Sequence, residues 1–329
     1  MNLQKICIVG PGGIGGTIAA RLAETSRAET GLDISALARP AKAQVLNTSG
    51  IRLNSLGREI HVRIRAASNP ADLGPQDLVI VATKNNQLAE IAQQLPALCG
   101  PDTSVIFAMN GAPWWFFDGF GGALQGTRLQ SLDPDGVLAK AIPMARVIWG
   151  VVYFSATGNP DGTILHNNAN GITLGRPSDD TTGLAPIANM FSRAGFDAKI
   201  ATNIRQEIWT KLAVNVAVNP PGALTLGTIT QMWHEPLLRE TMNTVLGEMR
   251  AVGQALGIDP GPLSIDKWQN APVRVSLLQD LEAGRPLELA SVVEAAVEIA
   301  DHAGVPVPFT RAFLGLARLR GRVAGLLPQ

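Results

Sequence analysis

Apolar positions change rhythm along the chain. In roughly the first 200 residues they come as short runs rich in β-branched residues, separated by glycine-rich or polar breaks. Residues 5–9, "KICIV", form the first such run, and "DISALAR" (33–39), "DLVIVATK" (77–84) and "SVIFAMNG" (104–111) follow. Runs of this length and composition read as buried parallel strands. "TIAARLAE", directly after the first glycine-rich break, reads as a helix. Residues 142–176 hold short alternating segments around the turn "NPDG" and predict antiparallel strands that extend or cap the sheet. From about Thr202 the spacing becomes helical. One helix opens with "NIRQEIWTKLAVNVAVN" and is expected to end at Pro220 and Pro221. Others are expected over 235–256, 263–281, 286–303 and 308–324, with Glu282 and Glu288 straddling the break "AGRPLE". The pattern predicts an α/β protein with a doubly wound sheet over 1–201 and an all-α domain over 202–329.

The break after the first strand carries the sharpest motif. Gly10, Gly12 and Gly15 stand in G-x-G-x-x-G spacing between a strand and a helix. Gly10 permits the turn, Gly12 admits a pyrophosphate against the backbone, and Gly15 lets helix approach strand. The backbone of Gly12, Gly13, Ile14 and Gly15 then presents N–H groups to phosphate at the helix N-terminus. In that context the motif marks a dinucleotide site on a Rossmann-type sheet. An NAD site wants an acid near the end of the second strand. Arg39 stands there instead, with Lys42 behind it, and a cation suits the 2′-phosphate of NADP. Lys84 and Asn110 close the next two strands, at the carboxyl edge where such sheets bind ligands.

The helical half raises a different question. Lys211, Asn215 and Asn219 recur every four residues inside an otherwise apolar helix. They drift only about 80° in total around its axis and so form one polar stripe, expected to border an open cleft. Composition narrows what the stripe can serve. Charged residues are 16% of the chain and apolar ones 46%, against about 25% charged in an ordinary soluble chain, which predicts large buried cores. Lysine plus arginine equals aspartate plus glutamate, 27 against 27, so no footprint for nucleic acid exists. Two cysteines, Cys7 and Cys99, give no disulfide framework and fit a cytoplasmic protein. The glycines interrupt any leader-like start. The uncharged stretch 212–233 contains Asn215, Asn219 and two prolines, so it reads as a core helix, not a membrane span. The four histidines lie far apart and no cysteine pair has zinc spacing. Chemistry must therefore come from a nicotinamide cofactor plus a proton donor.

With these residues in place the chain resembles the ketopantoate reductases (2-dehydropantoate 2-reductases) over nearly its whole length. The resemblance rests on "IVGPGGIGG", "VIVATK", Asn110-Gly111, "EIWTKLAVNVAVNP", "SLLQD" at 276–280 and "HAGVPVP". It implies NADPH-dependent reduction of a 2-oxo acid in pantothenate biosynthesis. It implies Lys211 as general acid, with Glu288, sixteen residues before Gly304, as the second catalytic group. Asn215, Asn219, Ser276 and Asn110 are implied to bind substrate. Lys84 and Asn110 are implied to touch the cofactor, and Arg39 to read its 2′-phosphate. A homodimer is the family habit. The residues agree with these roles: an ammonium beside a ketone oxygen polarises it and delivers the proton.

One segment departs from the family. After Asn110-Gly111 comes "APWWFFDGFGGALQGTRLQSLDPDGVLAKAI", with Trp114, Trp115, Phe116 and Phe117 in a row. Either it is a hydrophobic loop packing on the domain interface, or it packs against the helical domain as a wall of the cleft and remodels the substrate pocket toward a bulkier, more apolar acid. The alternatives to ketopantoate are accordingly another 2-oxo or 3-hydroxy acid, or a non-catalytic NADP(H) sensor. A sensor would have no need of a proton donor such as Lys211.

Overall fold

Strand β1 (Lys5–Val9) is buried along its whole length except Lys5, as its unbroken apolar run requires. It pairs in parallel with β2 (Asp33–Leu37) on one side and β6 (Gln76–Val81) on the other. In this computed structural model, which describes residues 3–159, 162–266, 269–270 and 272–327, the sheet continues outward on both flanks. Its order is β12-β11-β8-β7-β6-β1-β2-β5. The further strands are β5 (Arg65–Ala67), β7 (Cys99–Ala108), β8 (Val147–Val152), β11 (Gly171–Gly175) and β12 (Asp197–Ile200). The chain runs from β1 to β2 and β5 on one flank, then returns to β6, β7 and β8 on the other. The order therefore reverses between β1 and β6, where doubly wound sheets open a ligand crevice.

A second sheet, β4-β3-β10-β9, combines β3 (Ile51–Ser55), β4 (Arg58–Val62), β9 (Ser155–Gly158) and β10 (Thr163–Asn168). The sequence reading had the strands of 142–176 extend or cap the main sheet. Only β8 and β11 join it, antiparallel to one another. The β9–β10 pair is antiparallel as expected, but β10 also pairs in parallel with β3. Pro160 and Asp161 of the expected turn lie outside the described residues. Helix α1 (Gly13–Thr25) packs on this second sheet. A Cβ at Gly16 would stand 2.2 Å from Ile164 Cδ1, and one at Gly13 only 2.1 Å from Ala156 O. The same unit holds α2 (Pro40–Ser49), α3 (Leu88–Leu98), α4 (Val137–Ala141) and α5 (Leu184–Arg193). Ile6, Ile8, Ile18, Leu78, Ile80 and Ile106 are fully buried in its core.

This unit comprises the chain up to Met109 together with Val137–Ile204. The second unit is Asn110–Gly136 together with the residues from Arg205 onward. The expected boundary near residue 202 thus lies close to the break after Ile204, but Asn110–Gly136 belongs with the helices. Among the described residues the regular elements of the second unit are helical: α6 (Ile204–Thr225, continuing from the last residue of the first unit), α7 (Ile229–His234), α8 (Pro236–Ala255), α9 (Ser276–Glu282), α10 (Ala295–His302) and α11 (Pro308–Val323). A π turn, Ala290–Glu294, leads into α10.

Two expectations fail here. Helix α6 does not stop at the prolines but runs through Pro220 and Pro221 to Thr225. Both prolines are buried, and Gly222 lets the helix approach Val275, whose Cγ2 would be 2.4 Å from a Cβ at that position. Packing outweighs the missing N–H groups. Of the helix expected over 263–281, the described residues form α-helix over Ser276–Glu282. Pro272 has no N–H for a helix interior, and the carbonyl of Val273 is instead taken by Ile229 N at 2.9 Å.

The aromatic row is core of the helical unit. Trp114 is 4% exposed, and Trp115, Phe116 and Phe117 are 0%. Phe116 lies 6.0 Å from the Trp209 ring, and the Arg205 guanidinium sits 5.4 Å over Trp115. Arg205 Nε also donates to Phe116 O at 2.9 Å. Farther along the segment, Glu298 accepts from Ser131 N at 2.9 Å and Ser131 Oγ at 2.6 Å. Trp209 is about 200° around α6 from Lys211. Trp115 and Phe116 therefore brace the side of the helix opposite the polar stripe.

Candidate active site

In the sheet unit, register gathers the expected cofactor residues. Val9 pairs with Leu37 and with Val81, so Gly10, Arg39 and Thr83-Lys84 emerge from adjacent strands at one edge. Gly10 has φ +80° and a Cβ there would meet Thr83 Cγ2 at 2.5 Å, a place only glycine fills. At Gly15 a Cβ would lie 2.4 Å from Gly10 O, so this glycine lets helix meet strand as expected. Around Gly12 nothing lies within 4 Å of the Cβ position. That is the open approach a pyrophosphate needs. Gly12 is also the N-cap of α1 and makes no side-chain cap, so the first N–H groups of the helix point into the same opening. Gly13 is held against the backbone of β9, so its lack of a side chain serves packing as well.

Thr83 Oγ1 is buried and has no hydrogen-bond partner. A buried hydroxyl left so costs about 1–3 kcal/mol. With the open face of Gly12 and the helix N-terminus, it makes a cradle that fits a dinucleotide. Arg39 is exposed and forms the N-cap position of α2, two residues beyond the end of β2. Lys84 is half-buried at the N-cap of the short 3₁₀ turn Asn85–Gln87.

His166 takes no place in this edge. Its Nε2 faces Ala169 O at 2.7 Å, and Ser55 Oγ is 2.9 Å from its Nδ1. Arg21 Nη2 donates to Ser55 Oγ at 2.6 Å. Two carbonyl-facing contacts put the ring proton on Nε2, and burial lowers the ring's pKa. The cluster ties α1 to β3 and β10, as expected of a packed histidine. Sequence reasoning had not foreseen its arginine, which is 8% exposed.

In the helical unit, Lys211 is half-buried on α6. Desolvation by burial pushes its pKa from 10.5 down to about 7. One turn on, Asn215 is half-buried, and Asn219 is 4% exposed. The stripe splits in function there. Asn219 Nδ2 donates to Asn215 O at 3.0 Å. Its Oδ1 accepts from Ser276 Oγ at 3.0 Å and from Leu277 N at 3.1 Å. Asn219 thus satisfies an N–H at the start of α9 and brings Ser276, an expected site residue, onto the stripe. Glu288 is half-buried just before the π turn, and Asn110 is exposed. Gly111 and Ala112 dock on that turn: Ala112 N donates to Ser291 O at 2.8 Å. Within this unit Asn219 joins Asn215 to Ser276, and the segment after Asn110, expected in the first domain, meets the turn that follows Glu288. Among the described residues no cluster of histidine, cysteine and carboxylate groups could hold a metal, and no helix is long and apolar enough to cross a membrane.

Comparison with known proteins agrees with the sequence resemblance. Residues 6–179 match the family model described as ketopantoate reductase PanE/ApbA, and residues 203–321 match its C-terminal counterpart. A 2-dehydropantoate 2-reductase of Mesorhizobium japonicum is 37% identical over 321 residues, 96% of this chain and 97% of that protein. The crystal structure of a provisionally assigned ketopantoate reductase from Ralstonia solanacearum MolK2 superposes with a TM-score of 0.91 at 39% identity, covering 99% of this chain and 100% of that one. The fold is also that of D-mandelate dehydrogenase in its ternary structure with NADH and anilino(oxo)acetate, at a TM-score of 0.82 and 19% identity over 98% of this chain and 100% of that one. Family models that together span most of the sequence, and a relative this similar over nearly its full length, show that the chain belongs to the ketopantoate reductase family, oxidoreductases that act on CH–OH groups with a nicotinamide cofactor.

Proposed function

We propose that the chain reduces 2-dehydropantoate to pantoate with NADPH, the reductive step of pantothenate biosynthesis. The observation that carries this reading is Lys211, a lysine whose pKa is brought to about 7 by burial in a helix of a nicotinamide-dependent fold. At that pKa the amine is about half protonated at neutral pH, where general-acid catalysis is most effective.

The bound nicotinamide supplies the hydride. The residues of this chain do the rest. The N–H groups of Gly13, Ile14 and Gly15 would hold the pyrophosphate over the open face of Gly12, whose own N–H donates to Gly10 O at 2.8 Å, Thr83 Oγ1 would gain the partner it lacks, and Arg39 would take the 2′-phosphate. Lys84 and Asn110 hold the nicotinamide end. As C2 of the ketone becomes tetrahedral, the Lys211 ammonium gives its proton to the carbonyl oxygen. The neutral amine then regains a proton from water. Asn215 and Glu288 take the carboxylate and hydroxyl groups of the acid. Asn219 braces Ser276 through the hydrogen bond already formed, so Ser276 meets substrate from a fixed position.

Steady-state NADPH oxidation against a panel of 2-oxo acids tests the reading. Ketopantoate is expected to give the highest kcat/KM, and NADH a kcat/KM at least about tenfold lower than NADPH. Turnover of a different 2-oxo acid with ketopantoate inert would refute the substrate. Consumption of no cofactor with any acid would refute the enzyme.

A further inference from the structure

Asn110 and Glu288 are far apart in sequence, yet the backbone next to each meets in the helical unit. Gly111 has φ +96°, a conformation that side chains disfavour. A Cβ on it would stand 2.6 Å from Ser291 O, 2.7 Å from Ser291 Cβ and 2.8 Å from Ser291 Oγ. No side chain fits there without moving one strand of chain off the other. Ala112 N donates to the same Ser291 carbonyl at 2.8 Å. Ser291 belongs to the π turn Ala290–Glu294, which begins two residues after Glu288. Ser291 itself is 1% exposed, and its Oγ has no hydrogen-bond partner. The hydroxyl gains nothing from its surroundings and costs about 1–3 kcal/mol in desolvation. What the position demands is small volume and a free carbonyl.

We infer that Ser291 is a positioning residue: its contact with Gly111 clasps the Asn110 segment to the Glu288 segment, and the tightness of that fit sets the turnover number. The inference rests on the proposed roles of Asn110 and Glu288. Ser291 touches neither substrate nor cofactor in this account; it fixes the distance between two groups that do. A branched side chain would drive Gly111 outward and carry Asn110 with it. Misplacement by about 1 Å can cost about 10²-fold in rate.

The test uses the full chain with Ser291→Ala, Ser291→Thr and Ser291→Val, assayed with ketopantoate and NADPH. Rates are taken per folded molecule, and NADPH dissociation constants come from fluorescence titration. Ser291→Val is expected to lower kcat about tenfold or more, and Ser291→Ala, which keeps the carbonyl and reduces the volume, to stay close to wild type. The NADPH dissociation constant should rise no more than a few-fold in the branched variants, because the phosphates are held at the glycine turn and only the Asn110 contact at the nicotinamide end is displaced. If Ser291→Val does not fold, Ser291→Thr carries the comparison. A folded Ser291→Val or Ser291→Thr with wild-type kcat would overturn the clasp. So would Ser291→Ala falling as far as the branched variants, since the hydroxyl and not the fit would then matter. These outcomes are distinct from failure of the proposed function, which would show as a wild-type chain inactive on every 2-oxo acid.

Discussion

The pH dependence of Lys211 can be worked out from its burial. Its pKa falls from 10.5 to about 7 because the surrounding protein disfavours the charged amine. A proton donor must be protonated to act, so kcat/KM for the 2-oxo acid should be level below pH 7 and fall about tenfold per unit above it. At pH 8 about one molecule in ten keeps the proton. An unperturbed lysine would hold the plateau to about pH 10. The same shift has a stability sign. Between pH 7 and 10.5 the unfolded chain binds the proton and the folded chain does not. Stability therefore rises with pH across that window, by at most about 1.4 kcal/mol per unit. The penalty is largest below pH 7, on the order of 5 kcal/mol. Lys211→Met removes it. This variant should lose about 10²-fold or more in kcat while unfolding at higher urea concentration than wild type at pH 7. NADPH binding should be unaffected, since Lys211 lies outside the glycine-turn unit. The assays are kcat/KM from pH 5.5 to 9.5 and urea melts at pH 6, 7 and 9. A level profile through pH 9, or a Lys211→Met variant that keeps its kcat and loses stability, would refute the reasoning.

Arg39→Ala should bring the NADPH and NADH dissociation constants within a few-fold of each other while leaving kcat at saturating NADPH nearly intact; equal preference in the wild type would contradict this. Gly12→Ala and Gly13→Ala should separate, because a Cβ has open space at Gly12 but meets Ala156 O at 2.1 Å at Gly13. The first should keep its melting temperature and lose cofactor affinity; the second should lower the melting temperature. Asn219→Ala should cost about 2 kcal/mol in chemical denaturation, since it strips the acceptor from Ser276 Oγ and from an N–H at the start of α9. Trp115→Ala should cost about 3–5 kcal/mol, as a fully buried indole does, and leave the ranking of 2-oxo acids unchanged; a shift toward small polar acids would show that the segment lines the substrate site.

Local chemistry explains which features were legible. The strand–glycine–helix passage at 5–25 needs particular residues at particular places, so β1, the turn and α1 could be read directly. The Lys211 stripe was visible because helical periodicity puts polar residues every fourth position in an apolar helix. The hairpin of β3 and β4 also left a signal that went unread. Ile51 and Leu53 alternate with polar residues, as do Ile60 and Val62, around Leu56-Gly57, both with positive φ. What local pattern could not convey was long-range. Helix α6 passes two prolines because Gly222 meets Val275, and that partner lies far along the chain. Asn219 turned out to brace Ser276, a pairing that no spacing rule announces. Asn110–Gly136 follows a strand of the sheet unit yet folds with the helices, through Arg205, Glu298 and Ser291. The aromatic row signalled burial but not which surface would bury it.

Deuterium transfer tests the central claim most directly. The chain is incubated with ketopantoate and NADPH carrying deuterium at the transferred C4 position, and the product is weighed by mass spectrometry. Pantoate heavier by one mass unit, with label at C2, is expected from the wild type and should be nearly absent with Lys211→Ala. Unlabelled product, or no pantoate from a folded chain that binds NADPH, would contradict it.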